Sequence, residues 1–189
     1  MKLILASASP RRRELLGMIA PVFETAAADV DESGVRAANP CALARALAQK
    51  KCAAAAQAHP EDVVIGSDTV VDVDGRALGK PHSRDEARQM LRALRGRTHF
   101  VRTGVCIRRG AAQVLFTDTT AVTFAPLTDE EIERYIATDE PYDKAGGYGV
   151  QGGAAKFVRR LSGCYYNAMG FPVRRVYAVL KKFCPQLLF

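Results

Sequence analysis

The run Leu3-Ile4-Leu5-Ala6 passes directly into Ser7-Ala8-Ser9-Pro10-Arg11-Arg12-Arg13, and this junction constrains the fold more than any other stretch. The apolar residues read as a short strand. Ser9 suits the N-cap of a following helix, and Pro10 suits its first position, where no N–H is needed. A strand that breaks so abruptly into a helix leaves unpaired N–H donors at the helix start, where anions are attracted. Three arginines in that first turn oppose the helix dipole, which favours acids there. A bound polyanion removes the conflict, and a phosphorylated ligand is the simplest one.

A secretory signal is not expected here. The apolar run is short of the ~7–15 residues of a signal core, and Arg11 to Arg13 fall where a cleavage region would lie. No stretch approaches the ~18 apolar residues of a membrane span. A cytoplasmic chain with no membrane partner is therefore expected. Its 189 residues, 48% hydrophobic, suffice for one sizeable core, and the expectation is a single domain over 1–189. A net charge of +7 and a pI near 9.3 favour a polyanionic partner: nucleic acid, an anionic membrane or a small phosphorylated metabolite. The basic residues are scattered without a long Lys/Arg tract, which argues against nucleic acid.

Cys41, Cys52, Cys106, Cys164 and Cys184 are an odd number at irregular spacing, with no CxxC pair. A zinc site of that type and a disulfide framework are both disfavoured. Cys52 and Cys106 lie in apolar patterns and read as buried thiols.

Pro40 and the Ala-rich stretch to Ala58 predict a helix over 39–58. Residues 62–66 read as a buried strand, 69–73 as its continuation, and Asp74-Gly75 as a hairpin turn. Ser83-Arg84-Asp85-Glu86 has the capping-box pattern of a helix running to Leu94, with Gly96 as its stop. A β-rich stretch over 97–125 turns near Arg109-Gly110, and Thr128-Asp129-Glu130-Glu131 caps a helix to Thr138. Residues 139–156 lack periodicity and are expected to form a functional loop. A last helix follows Pro172 and carries Arg174, Arg175, Lys181 and Lys182. Together these predict an α/β fold with a mixed central β-sheet flanked by helices, two lobes enclosing a cleft.

Individually, the polar residues stay ambiguous. Asp68, in Gly66-Ser67-Asp68-Thr69 between two β-type runs, is poorly suited to a strand and is either a turn former or a functional carboxylate. Lys80 is held extended by Pro81 and by itself reads as a surface charge. Glu32 fits a solvated loop acid. Lys51 fits the polar face of the Ala-rich helix. His99, in a β-run, reads as structural more readily than as an acid/base. The stretch from Asp143 to Gly153 carries five glycines in eleven residues, which suits either close backbone approach to a ligand or a mobile surface loop.

Taken together, the ordered motifs resemble the Maf nucleoside-triphosphate pyrophosphatases from end to end. They are Leu5-Ala6-Ser7-Ala8-Ser9-Pro10-Arg11-Arg12, Leu47-Ala48-Gln49-Lys50-Lys51, Gly66-Ser67-Asp68-Thr69-Val70-Val71 and Leu78-Gly79-Lys80-Pro81. Gly96 to Gly104, Asp143 to Gly152 and Gly163 to Pro172 complete the set. Thr69 and Gln151 look like the branch that cleaves dTTP and UTP. The branch similar to 7-methyl-GTP pyrophosphatases usually carries Gln and Glu there. An amide offers both donor and acceptor to a uracil-type edge, whereas a carboxylate only accepts. Ala168, Met169 and Cys164 depart from the pattern and bear on packing rather than on catalysis.

The resemblance implies an inosine-triphosphatase-like fold and hydrolysis of a nucleoside triphosphate to its monophosphate and pyrophosphate. It implies Asp68 as catalytic base and Ser7, Arg11, Arg12, Lys51 and Lys80 as substrate-binding residues. Arg11, Thr69 and Gln151 would set specificity. Glu32 and Asp68 would bind a divalent cation, Mg²⁺ or Mn²⁺, whose hard oxygen preference suits them. Members of the family often form homodimers. The family is also associated with arrest of septum formation, a cellular outcome that no residue pattern in this chain connects to the reaction.

Overall fold

The computed structural model spans residues 1–189 and describes all of them except Ala28 and Asp29. Leu3–Ala6 forms β1 and Pro10–Gly17 forms α1, with the Ser9 hydroxyl accepting the Arg12 N–H as N-cap. Glu24–Thr25 (β2) follows, then Pro40–Ala58 (α2), Val63–Val73 (β3), Arg76–Leu78 (β4), Arg84–Leu94 (α3), Thr98–Arg109 (β5) and Ala112–Phe124 (β6). Asp129–Ile136 (α4), Val158–Ser162 (β7), Tyr165–Ala168 (α5) and Val173–Phe183 (α6) complete the order.

One sheet runs β2-β1-β3-β5-β6-β7, with β4 on the flank of β3. β1 pairs in parallel with β2 and β3, and the remaining pairs are antiparallel, so the sheet is mixed as expected. Three apolar clusters cover it. At the β1 end, Leu5, Ile65, Ile107 and Leu180 pack with α1 and α6 on one face. On the other face Ile4, Val64 and Cys106 pack against Cys52 of α2, which buries both thiols. At the β4 end, Val71, Val101, Phe124, Leu91 and Tyr135 pack with α3, α4 and the Gly-rich segment. The two lobes expected from the sequence are these two ends of the sheet.

Local chemistry accounts for most boundaries. Asp74 and Gly75 both take positive φ (54° and 77°), the requirement of a two-residue hairpin turn. The Thr128–Glu131 capping box forms in full, and its helix stops at Ile136 rather than Thr138. At Ser83 only half of the expected box forms. Its hydroxyl accepts the Glu86 N–H, but the Glu86 carboxylate accepts from His82 N–H instead. The stretch 139–156 is not structureless, since Glu140–Asp143, Ala145–Gly147 and Gly153–Phe157 are short 3-10 turns.

The structure excludes one of the two readings of Asp68. It is not a turn former, because β3 runs unbroken from Val63 to Val73 and Asp68 pairs with Gly104 of β5. Two glycines let α2 lie directly on this part of the sheet. A Cβ on Gly66 would sit 2.3 Å from the Ala48 carbonyl oxygen, and one on Gly104 would sit 2.1 Å from that of Ala44.

Candidate active site

β3 has a gap on one flank. β1 pairs with it only through Gly66, and β4 joins it only from Val71, so Ser67-Asp68-Thr69-Val70 is paired with β5 alone. β1 ends at this point, and its chain turns away through Ser7 into α1. The gap is filled by side chains from both ends of the sequence. Arg12 donates from Nε to the Gly170 carbonyl (3.0 Å), from one terminal nitrogen to Thr69 Oγ1 (3.1 Å), and from the other to Ser7 Oγ (3.4 Å). Gly170, at φ 105°, keeps its carbonyl in that position. Thr69 in turn shares a hydrogen bond with Thr103 (3.0 Å), whose hydroxyl donates to the Asn167 carbonyl (3.1 Å). The proton order is therefore fixed: Thr69 donates to Thr103 and accepts from Arg12.

Beside this network, Lys51 Nζ lies 2.5 Å from Asp68 Oδ1 and 2.8 Å from Glu32 Oε1. One helical side chain thus gathers a strand carboxylate and a loop carboxylate. Asp68 is buried, with 8% of its surface exposed. Burial pushes its carboxyl above the usual carboxylate range, although Lys51 and Arg12 pull it the other way. The opposing wall comes from the Gly-rich segment. Asp143 accepts from Arg11 (3.2 Å) and from Lys144 (2.6 Å), while Gly146 N–H reaches the Gly79 carbonyl at 2.8 Å. Between the walls lies a cavity of about 660 Å³, lined by Arg11, Arg12, Glu32, Lys51, Asp68, Thr69, Lys80 and Gln151. Lys144 adds a fifth cation against the three carboxylates, and Val71, Val101, Tyr148, Val150 and Met169 give it an apolar part.

Of the residues that the resemblance assigns to the site, all but Ser7 line this cavity. Ser7 stands one layer back, under the Arg12 guanidinium. A second hollow of about 690 Å³ opens on the far side of the Ser7–Pro10 turn. Among the described residues its charged lining is Arg13 and Glu14, whereas the cavity at Asp68 gathers three carboxylates and five cations. His99 is fully buried between Phe124 and Tyr148 and bonds the Tyr148 hydroxyl at 2.6 Å. Burial lowers its pKa to about 4, which leaves it neutral at pH 7 and supports the structural reading.

The sequence reading missed Lys144 as a cavity cation and missed the acceptors that hold Arg12. Lys144 carried a signal, since it opens the Gly-rich stretch; the Gly170 carbonyl carried none, because a backbone acceptor has no side chain to recognise.

Comparison with known proteins decides the family. A family model described as Maf-like protein matches residues 2–183. The chain belongs to the Maf-like protein family. It is 47% identical over 182 residues to a dTTP/UTP pyrophosphatase of Bacillus cytotoxicus, covering 96% of this chain and 95% of that one. It is equally identical, over the same length, to a dTTP/UTP pyrophosphatase of Symbiobacterium thermophilum, of which it covers 94%. Among solved structures, the Ham1 protein of Staphylococcus aureus superposes with a TM-score of 0.57 at 15% identity, covering 97% of this Maf-like chain and 100% of that chain. A HAM1 protein of Coxiella burnetii gives 0.54 at 14% identity, covering 96% and 99%. These two likenesses establish the shared architecture alone. Within the described residues, no helix of this Maf-like protein is long and apolar enough to cross a membrane.

Proposed function

We propose that this protein hydrolyses dTTP and UTP to the monophosphate and pyrophosphate in the cavity at Asp68. The observation that carries the reading is the convergence of Asp68 and Glu32 on Lys51 in a cavity otherwise rich in cations. The relatives named dTTP/UTP pyrophosphatase support the choice of nucleotide.

In the reaction, Asp68 takes a proton from water as the water oxygen forms its bond to the α-phosphorus. The bond from that phosphorus to the bridging oxygen breaks, and pyrophosphate leaves with the electron pair. Arg11, Lys51, Lys80 and Lys144 oppose the charge that builds on the leaving group, more strongly in the transition state than before it. Arg12 acts from a fixed position, since its three nitrogens are held by protein oxygens.

Maf-family nucleotide pyrophosphatases are generally metal-dependent, and the donors here fit a hard cation. Asp68 and Glu32 already meet at one positive centre, the Lys51 ammonium. The described residues offer no cluster of three or more His, Cys, Asp or Glu, so the remaining oxygens would come from phosphate and water, as Mg²⁺ prefers. Bound there, Mg²⁺ or Mn²⁺ would screen the triphosphate charge and polarise its phosphoryl oxygens. The proximity of Lys51 means that metal and ammonium compete for the same carboxylates, with Lys51 free to turn towards phosphate.

A panel of nucleoside triphosphates with pyrophosphate detection, in Mg²⁺ or Mn²⁺, tests the reading. dTTP and UTP are expected to lead, and a preference for 7-methyl-GTP would overturn the choice of base. Gln151 lines the cavity and can both donate to and accept from a uracil-type edge. Gln151→Glu sets a carboxylate against a carbonyl, and an unpaired buried polar group costs roughly 1–3 kcal/mol. Its kcat/KM for dTTP and UTP should fall at least about tenfold.

The phosphate cradle has a separate test. Lys80 is exposed on the cavity wall, and among the described residues Arg11 makes one ion pair, with exposed Asp143. Lys80→Ala and Arg11→Ala should therefore raise KM for the triphosphate with little change in Tm, since exposed pairs contribute little to stability. A large Tm loss with unchanged kinetics would show that both residues are structural.

A further inference from the structure

The Gly-rich segment pairs with no strand between Lys144 and Gly153, yet it presents Gln151 to the cavity from a tight turn. That turn is closed by Gly152 N–H on the Gly149 carbonyl at 3.2 Å, with Val150 and Gln151 as its central residues. Besides the Ala155 N–H on the Gly152 carbonyl (2.9 Å), the turn is held by a carboxylate outside the cavity lining, that of Glu140. Its Oε2 accepts the Gly153 N–H at 2.7 Å, and its Oε1 accepts the Tyr135 hydroxyl at 3.0 Å. Its own carbonyl accepts Lys144 Nζ at 2.8 Å.

The glycines are shaped around this group. A Cβ on Gly152 would lie 2.1 Å from Glu140 Oε1, one on Gly153 would lie 3.0 Å from Oε2, and one on Gly149 would lie 3.4 Å from Oε1. Gly152 and Gly153, which make the segment look like a loose surface loop, are therefore clearances for one side chain, whereas a Cβ on Gly149 would first meet Lys144 at 2.8 Å. The other end of the clamp is immobile, because Tyr135 is buried in α4 within the core cluster at the β4 end. Among the described residues no cation lies within ion-pair distance of the Glu140 carboxylate. The half-buried Glu140 carboxylate is engaged by a backbone N–H and a hydroxyl, charge-assisted hydrogen bonds that suit a role in shaping the turn rather than charge pairing.

We propose that Glu140 is a positioning residue for nucleobase selection: it moulds the Gly149–Gly153 turn and so fixes where Gln151 meets the base. This rests on the reading of Gln151 given above and extends it to a residue that touches no substrate. Because Asp68 and Lys51 stand on β3 and α2, away from the clamp, Glu140 acts on recognition and not on the proton transfer.

The test compares Glu140→Ala, Glu140→Gln and Gln151→Ala in the full chain. Glu140→Ala should raise KM for dTTP and UTP roughly tenfold, keep kcat within about threefold, and shrink the preference for dTTP and UTP over GTP. Glu140→Gln keeps an acceptor for Gly153 N–H and a partner for the Tyr135 hydroxyl, so it should restore that preference to within about threefold of wild type. Hydrogen exchange of the nucleotide-free protein adds a readout independent of turnover. The Gly153 amide should exchange faster in the alanine variant and at near wild-type rate in the glutamine variant. If Glu140→Ala does not fold, Tyr135→Phe removes one of the two clamps and should shift preference and KM in the same direction, by less. An unchanged base preference in Glu140→Ala, when Gln151→Ala alters it, would overturn the proposal and leave the dTTP/UTP reading standing. An unchanged preference in Gln151→Ala would overturn that reading itself.

Discussion

Asp68→Asn is expected to lower kcat by roughly 10²–10⁴, the range of general-base loss, without loss of thermal stability. The stability half of this expectation follows from the sign of the carboxyl shift. Burial raises the pKa of Asp68 in the folded chain, so folding favours its protonated form. That contribution is fully present below the unfolded pKa and is lost as pH rises through the folded one. At pH 7 the ionised carboxylate therefore costs stability, and a neutral amide of the same shape relieves the cost, so Tm should stay level or rise. In the wild type, kcat/KM should fall as pH drops through a value above the ~3.9 of an ordinary aspartate, and the residual activity of the variant should lack that limb. Pyrophosphate release and thermal melting measure both halves. Near-normal turnover in the variant would remove Asp68 from its role.

Gly104→Ala should be the most destabilising single methyl that can be added at the site. Gly104 pairs with Asp68 across the β3–β5 ladder, and a Cβ there would meet the Ala44 carbonyl carbon at 2.3 Å and the Arg45 nitrogen at 2.6 Å. The obstacles are backbone atoms of α2, which cannot rotate away, so the helix as a whole must lift. Overpacking of this kind costs up to about 3 kcal/mol or more, which in a chain of this length lowers Tm by roughly 6–12 °C. Because α2 carries Lys51, activity should fall as well. Gly34→Ala, where a Cβ meets nothing within 4 Å, is the control and should melt with the wild type. A wild-type Tm for Gly104→Ala would show that α2 does not lie as close to the sheet as described.

Much of the site was legible from residues 7–13, 51, 68–69 and 143–153, because each segment pairs a conformational signal with a charged or amide side chain. Ser9 and Pro10 announce a helix start, and the glycines after Lys144 announce close approach. Asp68 was only half legible. Its β-type flanks suggested a break, since strand propensity counts an aspartate against a strand. Pairing with β5 along the whole of β3 overrides that local preference. β7 and α5 were not legible, as each is short and lacks a buried stripe of its own. Glu140 gave no sign either. Its partners are a backbone N–H and a tyrosine on another element, and neither leaves a pattern at position 140. His99 shows the reverse case, where a β-run context was enough to expect a structural histidine.

The gap beside Ser67–Val70 separates two kinds of inheritance. Asp68 is locked to β5 by a ladder that tolerates little change, whereas Gln151 on the opposing wall belongs to the Gly149–Gly153 turn, which among the described residues pairs with no strand. On the proposed reading, sequence drift in that turn would alter which nucleotide is accepted while the Asp68 carboxylate stays in place. A randomised library confined to residues 149–153, with Glu140 retained as the mould, would therefore explore new substrates from an already competent catalyst.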